Sequence, residues 1–363
     1  MTGNTLGWVI VAFVLYLLMM IAIGAFYAKG NNNSEDYFLG GRKLNGFVAA
    51  LSAQASDMSG WLLMGLPGAI YLTGVGGDGW IAIGLFIGTT LNWLFIATKL
   101  RRYTIRANNS VTLPTYFENR FHDEKKVLMA VSSITIVVFF LVYCASALSA
   151  GGQLFESVFG IDYHVALTIG ALVVLVYTFL GGFTAVCVTD FIQGMLMLVG
   201  ILAVPLFAYH FLTTGGTTLS AGLESSGADS ANFLNLMKNG DGSNNIISVI
   251  SGLGWGLGYF GMPHILVRFM AVRDEKEMTK SKATAISWVA LSLGFAVFIG
   301  ILGRAYLPEL VNGNNEKVFI EMIKKVFTVE MRAPFVAGLF LCGILAAIMS
   351  TADSQLLVSA SRV

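Results

Sequence analysis

Charge is what this sequence has least of. Of its 363 residues only 12% are Asp, Glu, Lys or Arg, about half the share of an ordinary soluble domain. The mean hydropathy is +0.73 and 56% of residues are hydrophobic, more apolar surface than a soluble fold can hide. The formal net charge of +1 excludes the basic footprint of a nucleic-acid-binding protein. Cysteine is scarce and odd in number: Cys144, Cys187 and Cys342 all lie in apolar runs. That excludes a disulfide framework, and the spacing is not that of a metal site, so we read them as small packing residues. No Lys or Arg precedes the first apolar run, Gly7 to about Ala28, and no A-x-A site ends it. This excludes a cleaved leader and leaves a retained membrane span.

What is present is a series of apolar segments, nine by our reading: about 7–28, 46–72, 80–98, 127–157, 165–187, 190–212, 246–272, 284–307 and 333–357. Most approach the roughly 20 residues that cross a bilayer core, where only helices satisfy their own backbone at this length. The run 127–157 is long enough to require tilt. The loops then fix orientation. With the N-terminus outside, 16 Lys and Arg fall inside and 6 outside. The inner set includes Lys29, Arg42, Lys43, Arg101, Arg102, Arg268 and Arg273. The sequons at Asn32 and Asn108 fall in inner loops and carry no weight. "NEKVFIEMIKKVF", 315–327, sets Val318, Phe319, Met322, Ile323, Val326 and Phe327 on one stripe, an amphipathic helix on the outer face. The Gly-, Ser- and Asn-rich loop 213–245 reads as irregular.

Two of the segments are poor helices. "SAQASDMSGWLLMGLPG" puts Asp57 among Ser52, Ser56, Ser59, Gly60, Gly65 and Pro67. A charge near a helix centre costs about 2.5–3.5 kcal/mol on insertion scales, so Asp57 needs partners. Glycine and serine invite unwinding, and freed carbonyls with hydroxyls make an oxygen cage for a hard monovalent cation. "ISGLGWGLGYFGMPHI", 250–265, is broken in the same manner by glycines and Pro263. Such a pair is the pointer to an inverted-repeat transporter with a midplane site. Trp61, Trp255 and Tyr259 beside the breaks suit an ammonium group, and a half-helix N-terminus suits a carboxylate. Ordinary packing is the alternative for the aromatics. Ser350, Thr351, Asp353 and Ser354 sit deep in the ninth segment, where the hydroxyls either face a site or bond back to their own turn. Asp190 either serves function or caps the sixth helix.

"DYFLGGRKLNGFVAALSAQASDMSGWLLMGLPGAIY", "YTFLGGFTAVCVTDFIQ", "GWGLGYFGMPHILVRFMA" and "LAAIMSTADSQLLV" together resemble the sodium/solute symporter family, in particular its bacterial sodium/proline members. The resemblance runs through the chain. It implies an all-α polytopic membrane protein with the inverted-repeat (LeuT-like) transporter fold in one domain, 1–363. An extra helix (7–28) precedes a first five-helix repeat (46–212) and an incomplete second repeat (246–363). On that reading the fold is C-terminally truncated, with about nine transmembrane helices present.

The resemblance also implies function. The chain would be no enzyme and use no cofactor. It would sit in the bacterial cytoplasmic membrane and take up L-proline with Na+ as coupling ion, its partners being proline, sodium and the bilayer, with no nucleic acid and no obligate protein. The sodium site would fall on Ala55, Met58, Ala347, Ser350 and Thr351, with Asp57 and Ser59 nearby. Proline would meet Ser56, Trp61, Tyr143, Cys144, Trp255, Tyr259 and Pro263, and Asp190 would serve coupling or gating.

Other readings have their own discriminators. Another small solute such as pantothenate would use the same fold. The sensor part of a histidine kinase would require a kinase module behind the membrane domain. An intramembrane aspartyl protease would pair Asp57 with Asp353, but its G-x-G-D motif is met only by "VGGD" at 75–78, which lacks the first glycine.

Overall fold

Backbone that has no water to bond must bond to itself, and helix is the local way to do so. The structure, a computed structural model, describes residues 3–28, 34–239 and 241–361. Lys29 and the Asn32 sequon lie outside the described residues. Among the described residues the regular structure is helical, apart from two isolated bridges, Leu44–Val272 and Lys238–Asn244.

The first rod is α1 (Gly3–Tyr27), followed by the short α2 (Ser34–Leu39). Next come α3 (Gly46–Asp57) and α4 (Leu66–Thr73), two halves of one broken rod joined by a π-helical turn, Trp61–Gly65. A second π turn, Asn92–Ile96, joins α5 (Val75–Leu91) to α6 (Ala97–Arg106). The surface helix α7 (Leu113–Phe121) starts on a Thr112–Thr115 capping box. The long α8 (Val127–Phe159) and α9 (Tyr163–Thr214) lead to the small α10 (Leu219–Ser225) and α11 (Ser230–Phe233). A second broken rod comprises α12 (Ile246–Gly254), a 3-10 segment Trp255–Gly261 and α13 (Pro263–Ala271), bent by 46°. The long α14 (Glu275–Tyr306), the short α15 (Val318–Ile323) and α16 (Pro334–Ala360) complete the order. Among the described residues six helical rods are long and apolar enough to cross a membrane, and the bent pair makes a seventh.

Burial sorts these rods. In α16 83% of the most apolar window is buried, against 17% in α8. The α16 rod is therefore central, packed by α1, α3, α8 and α9, while α8 offers its flank to lipid.

Several expectations need correction. The segments read as 165–187 and 190–212 are two helical stretches of α9 that meet at a kink, but the break falls earlier than expected, at Gly182, with φ 62° and ψ −164°. Only glycine takes that conformation cheaply, so the break follows the Gly-Gly pair. Asp190 consequently lies inside the helix and caps nothing. The loop 213–245 is not wholly irregular: Thr218 and Asp229 cap α10 and α11. The amphipathic stripe of 315–327 exists, but it is buried against protein, with Val318, Phe319, Met322 and Val326 at most 1% exposed. Arg268, counted above with the inner loop charges, is not a loop cation, and neither is Arg304, one of the six counted outside. Arg268 is fully buried in α13, and Arg304 donates to the hydroxyl and carbonyl of Ser226 from the end of α14.

One end of the bundle is stitched shut. Leu44 N–H donates to Ala271 O at 3.1 Å, and Arg273 N–H donates to Leu44 O at 3.0 Å. Arg101 donates to Val272 O at 2.7 Å and Arg273 O at 2.5 Å, and Arg42 donates to Met270 O at 2.8 Å. Guanidinium groups at the carbonyl end of α13 are electrostatically favoured. The entry to α3 is thereby fastened to the exit of α13.

Candidate functional site

The first break is built by serine. The α3 helix ends at Asp57, and Ser59 takes φ +32°, left of the helical region. The Ser59 hydroxyl accepts Trp61 N–H at 3.1 Å, holding the turn that a regular helix would have spanned. The second break is built by glycine and proline. Met262 is extended, with φ −72° and ψ 104°. Pro263 then starts α13, where its missing N–H costs nothing.

The two breaks face each other. The Trp61 and Trp255 rings stack with centroids 6.0 Å apart and planes 20° from parallel. Beneath them is a cavity of about 110 Å3 lined by Asp57, Met58, Ser59, Trp61, Tyr143, Trp255, Tyr259 and Met262, among others. The Tyr259 side chain lies beside the Asp57 carboxylate, and Tyr143 donates to Asp57 O at 3.4 Å. Asp57 Oδ2 has no protein donor among the described residues. A larger cavity, about 500 Å3, shares Ser59, Trp61, Tyr143 and Trp255 and runs out to Glu316, next to α15. The tryptophan pair thus stands between the small chamber and the vestibule.

One hydroxyl of α16, that of Ser350, reaches the same break from behind, while that of Thr351 bonds back to its own helix. Ser350 donates to Ala55 O at 2.8 Å and lies 3.3 Å from Ala347 O. Thr351 donates to Ala347 O at 3.0 Å. Both side chains are fully buried. Through Ser350 the carbonyls of Ala55 and Ala347 and the two hydroxyls form one chain of neutral oxygens, the ligand type that suits a hard monovalent cation, while the Met58 carbonyl accepts Leu62 N–H at 3.1 Å.

Not every expected residue reaches the chamber. Ser56 bonds back to Ser52 O at 2.8 Å, and neither it nor Cys144 nor Pro263 is among the residues lining the two cavities. Met262 presents the lining where Pro263 was expected.

Asp190 has a partner that the sequence reading treated as a loop charge. Its Oδ2 accepts from Arg268 Nη2 at 3.0 Å and from Ser52 Oγ at 2.7 Å, with both charged side chains fully buried. Arg268 also donates to Ser354 Oγ at 2.5 Å and to Ser52 Oγ at 3.0 Å. Ser354 donates to Asp353 Oδ1 at 3.1 Å, and Tyr177 donates to Asp353 Oδ2 at 2.6 Å. This network joins α3, α9, α13 and α16 directly behind the breaks. Its sequence signal was available: Arg268 is a charge within the apolar run "PHILVRFMAV", the same anomaly that drew attention to Asp57. A buried acid needs a charge partner or hydrogen-bond donors to offset its desolvation, and Asp190 has both.

A family model described as "Sodium:solute symporter family" matches residues 37–363. The chain belongs to the sodium:solute symporter family. Curated relatives named sodium/proline symporter agree with that membership. Those of Salmonella typhimurium (strain LT2) and Escherichia coli (strain K12) are each 44% identical over 360 residues, covering 98% of this chain and 69% of their own length. That of Staphylococcus aureus (strain COL) is 43% identical over 354 residues, covering 97% of this chain and 66% of its own length. A solved structure of the substrate-bound outward-open state of a Na+-coupled sialic acid symporter superposes with a TM-score of 0.81 at 21% identity. It covers 98% of this chain and 73% of that one. The fold of this family member is therefore that of a sodium-coupled symporter.

Proposed function

We propose that the chain carries out sodium-coupled symport of L-proline by alternating access. The observation that carries the reading is the contact of Ser350 with Ala55 O, which ties α16 to the first break beside the aromatic chamber. The names of the relatives at 43–44% identity supply the substrate.

Sodium is a substrate here. It sits among the oxygens of Ala55, Met58, Ala347, Ser350 and Thr351, displacing the hydroxyl-to-carbonyl contacts that Ser350 and Thr351 now make. An ion bonded to both α3 and α16 fixes the break, and so favours the conformation in which Asp57, Trp61, Trp255 and Tyr259 form a pocket. The proline ring packs against these aromatics, with its secondary ammonium facing ring electrons. Asp190, paired with Arg268, holds the network that senses whether the break is ordered.

Nine spans, an N-terminus outside and a bacterial cytoplasmic membrane follow on the same reading. Residues 46–212 form the first repeat, and the second begins at 246. The vestibule at Glu316 then opens outward and the Leu44–Val272 stitch closes the cytoplasmic end. Proteoliposomes containing the protein test the function. They accumulate radiolabelled proline under an inward sodium gradient, and excess unlabelled proline blocks this while pantothenate does not. Uptake that is equal with potassium in place of sodium overturns it.

A further inference from the structure

The segment that carries Trp255 and Tyr259 is a 3-10 stretch, which lacks the i-to-i−4 ladder of an α-helix and needs outside support to hold its side chains in register. Its support is α5. There the two backbones touch without intervening side chains. A methyl on Gly88 would lie 2.1 Å from Gly256 O, one on Gly84 2.3 Å from Gly252 O, and one on Gly256 2.2 Å from Gly84 O. One turn beyond Gly88, Asn92 opens the π turn, and its Nδ2 donates to Tyr259 O at 2.8 Å. Asn92 is 1% exposed, and its Oδ1 has no protein donor among the described residues. Thr89, from the same turn of α5, neighbours the Tyr259 phenol.

We infer that Asn92 is a positioning residue for the substrate pocket: its amide holds the main chain at Tyr259, so that the Tyr259 ring stays beside Asp57. The inference rests on the reading of this chamber as the proline site. It assigns Asn92 no contact with proline or sodium. The glycine seam sets how close α5 and the 3-10 segment approach but supplies no side-chain contact that fixes their register. The Asn92 bond fixes that register at one point. The π turn aims the side chain, since the extra residue shifts the helix face by a fraction of a turn.

The test separates placement from folding. Asn92→Asp keeps the shape, removes the donor and sets oxygen against oxygen. Asn92→Ser is the second variant, too short to reach but not repulsive. Proline affinity is measured at saturating sodium, and sodium half-saturation at saturating proline, alongside Tyr259→Ala and the double variant Asn92→Asp/Tyr259→Ala. Each Asn92 variant is expected to weaken proline binding about tenfold, the loss of one well-made buried hydrogen bond. Sodium half-saturation stays within about twofold, a difference below 0.5 kcal/mol. The double variant binds proline no worse than Tyr259→Ala alone. Normal proline affinity in the Asn92 variants, with affinity lost in Tyr259→Ala, overturns this inference and leaves the pocket reading intact. Normal affinity in Tyr259→Ala as well overturns both. Sodium and proline affinity lost together, or Asn92 variants that do not fold, make Asn92 a general structural residue and also overturn it.

Discussion

The Ser350 hydroxyl donates a hydrogen bond to the main-chain oxygen of Ala55 across 2.8 Å, although the two lie 295 positions apart in sequence. The contact joins the most buried rod of the bundle to the least regular one. A bound sodium ion can take over this contact, because hydroxyl and carbonyl both turn lone pairs toward a cation placed between them.

Ser350→Ala and Thr351→Ala should each raise the sodium concentration for half-maximal proline uptake about tenfold, the effect of losing roughly 1.4 kcal/mol of ion binding. Thr351→Ser should be milder, since it keeps the ligand oxygen, and Ser350→Cys should be milder than Ser350→Ala, since it keeps a hydrogen-bonding group of similar size. Uptake measured against sodium concentration decides. Normal curves for both alanine variants place the ion elsewhere.

Asp57 lines the chamber with one carboxylate oxygen that has no protein partner among the described residues. Asp57→Asn keeps its shape and removes its charge. Apparent sodium affinity should fall by about tenfold or more, while proline affinity at saturating sodium changes by less than about threefold. An unchanged sodium dependence shows that the carboxylate does not act on the ion.

Trp255 stacks on Trp61 at the mouth of the small chamber. Trp255→Ala removes the lid and an aromatic face. Proline binding should weaken by about 1–2 kcal/mol, roughly five- to thirtyfold, with sodium binding intact. Equal proline affinity in the variant would reduce the stack to packing.

The Asp190–Arg268 pair is fully buried and bonded through Ser52 and Ser354. Breaking such a pair from one side leaves a bare charge and costs about 3–5 kcal/mol, whereas replacing both partners costs far less. Asp190→Asn and Arg268→Met should each lower the thermal unfolding temperature in detergent, and the double variant should regain much of it. Additive losses would show that the two side chains are not coupled.

What was legible in the sequence was whatever contradicted its surroundings. Asp57 among serines, glycines in a would-be helix and a Ser-Thr pair in an apolar rod each break a rule of membrane helices, and each belongs to the proposed site. The family resemblance supplied Ala55, Met58 and Ala347, whose proposed contribution is backbone oxygen and leaves no trace in residue type. Ser56 was misleading because serine serves two purposes, and here its hydroxyl bonds back to its own helix. Arg268 was missed because a charge near the margin of an apolar run is counted with the adjacent loop. Asn92 gave no signal beyond one amide in "TLNWLF", since its partner is a carbonyl 167 residues away. The break at Gly182 fell before the expected boundary because one φ/ψ pair kinks the rod without interrupting its apolar run.

Equilibrium binding of proline at graded sodium concentrations tests the central claim most directly, because a symporter must bind its two substrates with reciprocal coupling. Raising sodium through its half-saturation range should tighten proline binding by about tenfold or more, a coupling of at least 1.4 kcal/mol, and the Ser350→Ala variant should shift that rise to higher sodium. Proline affinity that is the same with and without sodium, in the unaltered protein, would contradict the account.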